Sequence, residues 1–451
     1  MEREVVITGL GVVSALGLSA QELWTGLVEG VSGLGTLERM DASGFGCGIG
    51  GEVKSLKVRD YLPKHYRKAT KVMARDIELA MAASTLAVRD AGMTTRADEG
   101  EATIAASRLG CQIGAGLIAA ETAELSRALA SAVDEDGVFD LGLWGTVDSQ
   151  DGRVAGGGMN NLPPLWLLKY LPNMLACHVT IVHGAEGPSN TITCAEASAL
   201  LSLGESSRVI ERGDADVCFS GGAESKLNYM GVLRLELSGR VASTDETADG
   251  SRIVRPFSSD SQGGVLGEAG AVLMLEEASS AADRGAKVYA KVSGFGAAQS
   301  PDGPIGTGVW EAEQTGVDRG LADAIEASLG DAGLDAGDID AIVPLGLGVP
   351  DLDEREAGAL GAVFGDRLSG VPLVTLTPNV GNCSAGQGGL MAAVAAMALE
   401  RQALPARVNT GQVFEGLDAG GSRAIETKLK HILVCASGLG GQSAALVLSA
   451  P

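Results

Sequence analysis

Strand-like runs alternate with helical stretches along this chain from one end to the other, a rhythm that a layered sheet-and-helix fold accommodates. The spacing predicts strands over Val5–Gly9, Gly110–Ile113, Thr191–Cys194, Val217–Gly221, Ala271–Glu276, Tyr289–Phe295, Ala341–Pro344, Leu373–Leu376, His431–Ser437 and Ala444–Ser449. It predicts helices over Ala20–Glu29, Ala74–Ala91, Ala197–Arg212, Gly320–Ala332, Asp353–Val363 and Gly388–Ala403. At 451 residues the chain exceeds what one hydrophobic core usually serves. A rough duplication offers two: a Gly-bounded strand enters a nearly all-apolar helix at Glu196, and Pro378-Asn379-Val380-Gly381-Asn382 enters another that ends near Leu404. The junction falls near Arg255-Pro256-Phe257, giving an N-terminal half over 1–255 and a C-terminal half over 256–451. With 45% hydrophobic residues but only 4% aromatic, the core must be built from Ala, Val, Leu and Gly. The stretch 133–161, with Asp134-Glu135-Asp136-Gly137 and Gly156-Gly157-Gly158, reads as a long surface loop.

A net charge of −23 argues against nucleic acid and anionic membrane surfaces, which select basic patches, and against a strongly acidic partner. No apolar run reaches membrane-spanning length, and the first residues read as a strand and Gly turn rather than a leader peptide. Seven cysteines without C-x-x-C spacing fit a reducing cytoplasm. His178 and His183 flank a strand-like run and take structural roles. No metal site and no cofactor is expected.

The local feature richest in chemistry is the segment Gly187-Pro188-Ser189-Asn190-Thr191-Ile192-Thr193-Cys194-Ala195-Glu196-Ala197-Ser198. A strand turning sharply into a helix presents one side chain at the helix N-terminus, where free N–H groups and the dipole favour an anion. Such an elbow commonly carries a Cys or Ser nucleophile. Here Cys194 and Glu196 compete for that position.

Several further segments occur in order along nearly the whole chain: Val6-Ile7-Thr8-Gly9-Leu10-Gly11, Gly187-Pro188, Gly213-Asp214-Ala215-Asp216-Val217, Gly221-Gly222-Ala223-Glu224, Arg255-Pro256-Phe257 and Gly267-Glu268-Ala269-Gly270. Together they resemble the β-ketoacyl synthase branch of the thiolase fold. The resemblance implies an α/β thiolase-like fold of two duplicated halves in a layered α-β-α-β-α arrangement. It also implies an active site of one Cys and two His with a supporting Lys. The family spacing from Gly187, and back from Gly204, Arg208 and Gly213, puts the nucleophile position at Glu196; Cys194 falls two residues short, on the strand, as a packed thiol. The first His position is Leu345, in Val343-Pro344-Leu345-Gly346-Leu347-Gly348-Val349-Pro350, followed by Asp353 and Glu356 at the family's acidic spacing. Thr377 stands at the Lys position and Asn382 at the second His. The Gly-Phe-Gly-Gly gate becomes Gly438-Leu439-Gly440-Gly441.

This pattern is similar to the chain-length factor, or ketosynthase-β, subunits of type II polyketide synthases, as are Gly348–Glu356 and Pro164–Asn173. Glu196 replaces the Gln usual there. The resemblance implies that no residue is catalytic, that Glu196, Leu345, Thr377 and Asn382 are degenerate positions, and that Glu196 is a plug satisfying nearby N–H groups. It implies a heterodimer with a Cys-containing ketosynthase-α, an acyl carrier protein reached through that subunit, and an acyl tunnel whose length limits the polyketide or polyene product. The wall is expected on a helix after Gly114-Ala115-Gly116, with Leu117, Ile118, Glu121, Thr122 and Leu125, and at Leu439. The alternatives are a malonyl-carrier-protein decarboxylase or acyltransferase using Glu196 or Cys194, and a structural homodimer.

Overall fold

The computed structural model describes residues 3–145, 157–244, 249–300, 316–409, 411–418 and 420–451. Its centre is a nine-stranded sheet made of β1 (Val5–Val13), β2 (Leu109–Ala115), β3 (Ser189–Ile192), β4 (Val217–Ser225), β5 (Glu268–Glu277), β6 (Ala290–Gln299), β7 (Ala341–Val343), β8 (His431–Ser437) and β9 (Gln442–Ser449). The spatial order is β3-β2-β4-β5-β1-β6-β9-β8-β7. Outward from the central antiparallel β1–β6 pair, the two sides repeat one plan. On the first side β5 and β4 join antiparallel, then β2 and β3 in parallel. On the second, β9 and β8 join antiparallel and β7 in parallel. Leu373 adds a parallel bridge to Ile342 where β3 has its counterpart, but Leu373–Leu376 does not form the strand expected there. The pairing of β5 between β4 and β1 carries the first side past the junction expected near residue 255.

The longer helices are α1 (Ala20–Val28), α2 (Arg75–Asp90), α3 (Thr122–Ala130), α4 (Met174–His183), α5 (Ser198–Glu211), α6 (Tyr229–Leu237), α7 (Arg319–Ala332), α8 (Pro350–Phe364) and α9 (Gln387–Arg401). They complete five layers. α2 covers the outer face of the β1–β5–β4 side and α7 that of the β6–β9 side, while α5 and α9 pack on each other between the two. The β1 side chains are buried throughout, and the outer helices lie directly against glycines. A Cβ on Gly11 would lie 1.8 Å from the Ala83 carbonyl oxygen of α2, and one on Gly296 would lie 2.0 Å from that of Ala324 in α7. Every residue of α9 from Gln387 to Leu399 is buried, mostly Ala, Gly and Met. That composition matches its place in the middle layer, where bulk would hold the sheets apart.

Two local expectations are corrected, and a third falls partly outside the described residues. The run between His178 and His183 is helical, because its Leu175, Ala176, Val179 and Val182 recur at helical spacing and bury one face as α4. The helix expected directly after Gly116 begins only at Thr122, leaving 117–121 as an extended approach. Of the long loop expected over 133–161, the described part contains short turns at Leu141–Trp144 and Gly158–Asn161, and 146–156 lie outside the described residues. Among the described residues no helix is long and apolar enough to cross a membrane.

Burial holds the His183 imidazole down at about 4, with its Nδ1 2.9 Å from the Thr95 hydroxyl. The unfolded chain takes up that proton near pH 6.5, whereas the folded chain does so only near 4. Stability should therefore fall as pH drops from about 6.5 to about 4, by up to about 3 kcal/mol. Urea titrations at stepped pH check this; a His183→Gln variant should have a shallower acid limb, and identical limbs would refute the assignment.

Candidate functional site

The site assembles where the two halves of the sheet meet. β3 ends at Ile192, two residues before Cys194, and one 3₁₀ turn over Ala195–Ala197 leads into α5. Ala195 adopts φ +48°, a left-handed conformation costly for a residue with a Cβ. That kink delivers Glu196 into the interior, 2% exposed. The second half repeats the construction: Ser384, at φ +47°, opens a 3₁₀ turn over Ser384–Gly386 that leads into α9. By position, Ala385 corresponds to Glu196 and Cys383 to Cys194. The elbows lock crosswise. The Ala385 N–H donates to Glu224 Oε2 at the end of β4 (2.9 Å), and the Leu439 N–H, just past β8, donates to Glu196 Oε2 (3.1 Å). A Cβ on Gly222 would lie 2.2 Å from the Ala385 carbonyl oxygen, and one on Gly438 would lie 2.3 Å from that of Cys194.

The Glu196 carboxylate is thus bonded by distant groups rather than by the N–H groups of its own helix. Besides Leu439, Arg240 Nη1 and Asn382 Nδ2 each donate to Oε1 at 3.1 Å. Arg240 is itself only 6% exposed, so the pair is a buried ion pair with two added hydrogen bonds. Asn382 meanwhile accepts from the Ser384 N–H through Oδ1 at 2.8 Å and so joins the two elbows. Cys194 is half-buried, its thiol pushed up by burial, and its N–H is taken by Ser198 Oγ at 2.8 Å.

Leu345 lies on a loop held by two buried carboxylates. Glu356 accepts from the N–H groups of Leu345 and Gly346, each at 2.8 Å; Asp353 accepts from Leu347 (2.9 Å), Gly348 (3.0 Å) and Phe257 (2.8 Å). Burial pushes Asp353 up to about 7 and Glu356, with Asp353 beside it, up to about 8, against the downward pull of those N–H groups. Thr377 is buried and donates its hydroxyl to the Gly346 carbonyl oxygen. Glu196 and Asn382 therefore touch directly, Thr377 reaches the Leu345 loop, and the loop residue Leu439 bonds to Glu196 through its backbone. Beside them is a cavity of about 30 Å³, bordered by Arg240, Leu345, Leu347, Glu356 and Ser437. It has room for a water or two, far from the several hundred Å³ a small-molecule ligand occupies.

The other residues expected on a tunnel wall lie elsewhere. Ile118, Glu121 and Thr122 line a separate pocket of about 110 Å³ with a polar floor that includes Arg39, Asp76 and Asn228. Burial, with Glu224 nearby, pushes Asp76 up to about 7. Leu117 points outward, 61% exposed, and Leu125 is half-buried on α3. The sequence shows a second helix entry after Pro378–Asn382 but not its kink at Ser384, nor the role of Arg240. A buried carboxylate calls for a cation or several N–H donors, but nothing in Ser238-Gly239-Arg240 points back to residue 196.

Arg240→Leu should strand the Glu196 charge and cost about 3–5 kcal/mol in urea unfolding, with most of the loss recovered on adding Glu196→Gln. A single-variant loss below about 1 kcal/mol would mean that the carboxylate is held by other groups.

Comparison with known proteins agrees with this architecture. Residues 2–281 match the family model for the β-ketoacyl synthase N-terminal domain and residues 290–411 the model for its C-terminal domain. The 3-oxoacyl-[acyl-carrier-protein] synthase 2 of Staphylococcus aureus (strain COL) is 26% identical over 457 residues, covering 99% of this chain and 98% of that protein. That of Vibrio cholerae is 27% identical over 451 residues, covering 99% of each. Among solved structures, the ishigamide ketosynthase/chain length factor superposes with TM-score 0.81 at 26% identity, and a β-ketoacyl synthase from Burkholderia phymatum with TM-score 0.79 at 25%, both covering 100% of each chain. With its elbows, layers and duplicated sheet, this chain belongs to the β-ketoacyl synthase family.

Proposed function

We propose that this chain is a non-catalytic ketosynthase-like subunit that pairs with a Cys-containing ketosynthase and helps to shape its acyl tunnel, limiting the length of a polyketide or polyene product. The observation that carries the reading is the Glu196 carboxylate at the elbow, tied by Arg240, Asn382 and the Leu439 N–H. A carboxylate with three donors on it, one of them a buried guanidinium, is a poor nucleophile toward a thioester. With Leu345 and Asn382 at the histidine positions, no imidazole supplies the enolate stabilisation that decarboxylative condensation requires. The likeness to a ketosynthase/chain length factor supports the same reading.

A partner fits the exposed surface. Among the described residues β3 pairs on one side only, with β2. α4, packed on β3, leaves Ile181 half exposed, and the adjoining segment exposes Leu165 and Leu167. An unpaired edge beside large apolar side chains is the anatomy of a subunit interface. The carrier protein is reached through the partner's active site in this scheme. The strongly acidic chain nonetheless has one basic stretch, with Lys57, Arg59, Lys64, Arg67, Lys68 and Lys71 exposed and in no salt bridge among the described residues, which gives an acidic carrier a direct electrostatic approach.

Co-expressed with a Cys-containing ketosynthase from a neighbouring reading frame, this chain should co-purify as a pair, and alone it should release no acetyl product from malonyl-carrier protein. Failure to pair removes the proposal. Turnover by the isolated chain that disappears in Glu196→Ala establishes the decarboxylase alternative instead. In the reconstituted pair, Ala120→Phe, at the pocket lined by Ile118 and Thr122, should shorten the products; unchanged lengths take that pocket out of the tunnel.

A further inference from the structure

The segment Pro164–Asn173 stands out in the sequence, yet the elbow chemistry gives it nothing to do. In the fold its last residues close on α3. The Tyr170 hydroxyl accepts from the Glu121 N–H at 3.0 Å and donates to Glu124 Oε2 at 2.8 Å. Lys169 Nζ donates to Glu124 Oε1 at 2.6 Å and lies 5.2 Å from the centre of the Tyr170 ring. Tyr170 is 7% exposed, and its ring meets the edge of Trp166 with centroids 5.2 Å apart. The approach to α3 is tied from the other side, where Lys226 Nζ donates to the Leu117 carbonyl oxygen at 3.3 Å.

α3 needs such help. It is nine residues long, has no side-chain N-cap of its own, and buries only Ala128. Isolated helices this short are unstable in water, and the burial of one methyl group adds less than about 1 kcal/mol. The position of α3 is therefore set by groups outside it. The Tyr170 hydroxyl takes up the N–H at the helix start, and Glu124, one turn in, is gripped by both a cation and a phenol. Burial pushes the Glu124 carboxyl up, but the bonds from Lys169 and Tyr170 outweigh it and hold the group below its ordinary range.

We propose that Lys169 and Tyr170 are specificity-positioning residues: by clamping Glu121 and Glu124 they fix where Ile118, Glu121 and Thr122 stand, and so how far a growing chain can extend. This inference rests on the chain-length reading above. It assigns product control to two residues that need not touch the product.

The test uses Tyr170→Phe, Lys169→Met and the conservative Lys169→Arg, each as the isolated chain and in the reconstituted pair. On the isolated chain, amide exchange at 121–125 should quicken by about tenfold in Tyr170→Phe and Lys169→Met and return toward wild type in Lys169→Arg. In the pair, the same two variants should shift or broaden the product-length distribution at unchanged pairing, and Lys169→Arg should restore it. Unchanged exchange would show that there is no clamp. Faster exchange with unchanged product lengths would overturn the specificity claim while leaving the chain-length reading intact. Loss of pairing in Tyr170→Phe would make the segment an interface support and overturn the proposal. A wild-type pair whose product lengths ignore this subunit altogether would refute the chain-length reading and the specificity claim with it, while the exchange result still decides whether the clamp exists.

Discussion

The constraint on which this structure depends is the contact between α5 and α9 in the middle layer. Two helices can lie between two sheet halves only if both are slim. Gly388 of α9 makes room for Leu200 of α5, a Cβ there lying 2.8 Å from the leucine Cγ. The same closeness brings each helix's entry turn against a glycine of the opposite half, so that the kinks at Ala195 and Ser384 are held by packing and hydrogen bonds from outside. Strain of about 1–3 kcal/mol at each kink persists because the surroundings over-determine it.

At the first elbow this inherited geometry now serves an ion pair. The kink at Ala195 directs Glu196 onto Arg240 and Asn382. Burying two charges together gives no large gain over apolar packing, but removing either alone is expensive. The pair thus joins the first elbow to the Arg240 loop and, through Asn382, to the second elbow. Its contribution to the fold is cohesion between halves.

Much of this was legible in the sequence, because glycine spacing and apolar rhythm are local signals. The strands at Val5, Val217 and His431 and the helices after Glu196 and before Leu404 start or end within a few residues of their expected places. What was illegible depended on distance along the chain. Arg240 lies 44 residues from its partner and Leu439 243. The run between His178 and His183 reads as a strand in the sequence but is helical, because a short apolar run has no unambiguous period. Leu373–Leu376 has strand composition, but its pairing with β7 is confined to Ile342, which bonds to Pro372 and Val374 on either side of Leu373, and the Glu121 N–H at the start of α3 is taken by Tyr170 rather than by a residue of the helix.

The one-sided pairing of β3 has a consequence for the life of the protein in a cell. A copy without a neighbour presents a strand edge, its Thr191 N–H turned back onto the Asn190 side chain, beside exposed leucines, and such edges are where β-aggregates grow. Such a chain is safest when its synthesis keeps pace with that of whatever covers the edge, so the geometry of a single strand becomes a demand on stoichiometry. Excess copies would be expected in chaperone complexes or inclusion bodies rather than as a free pool.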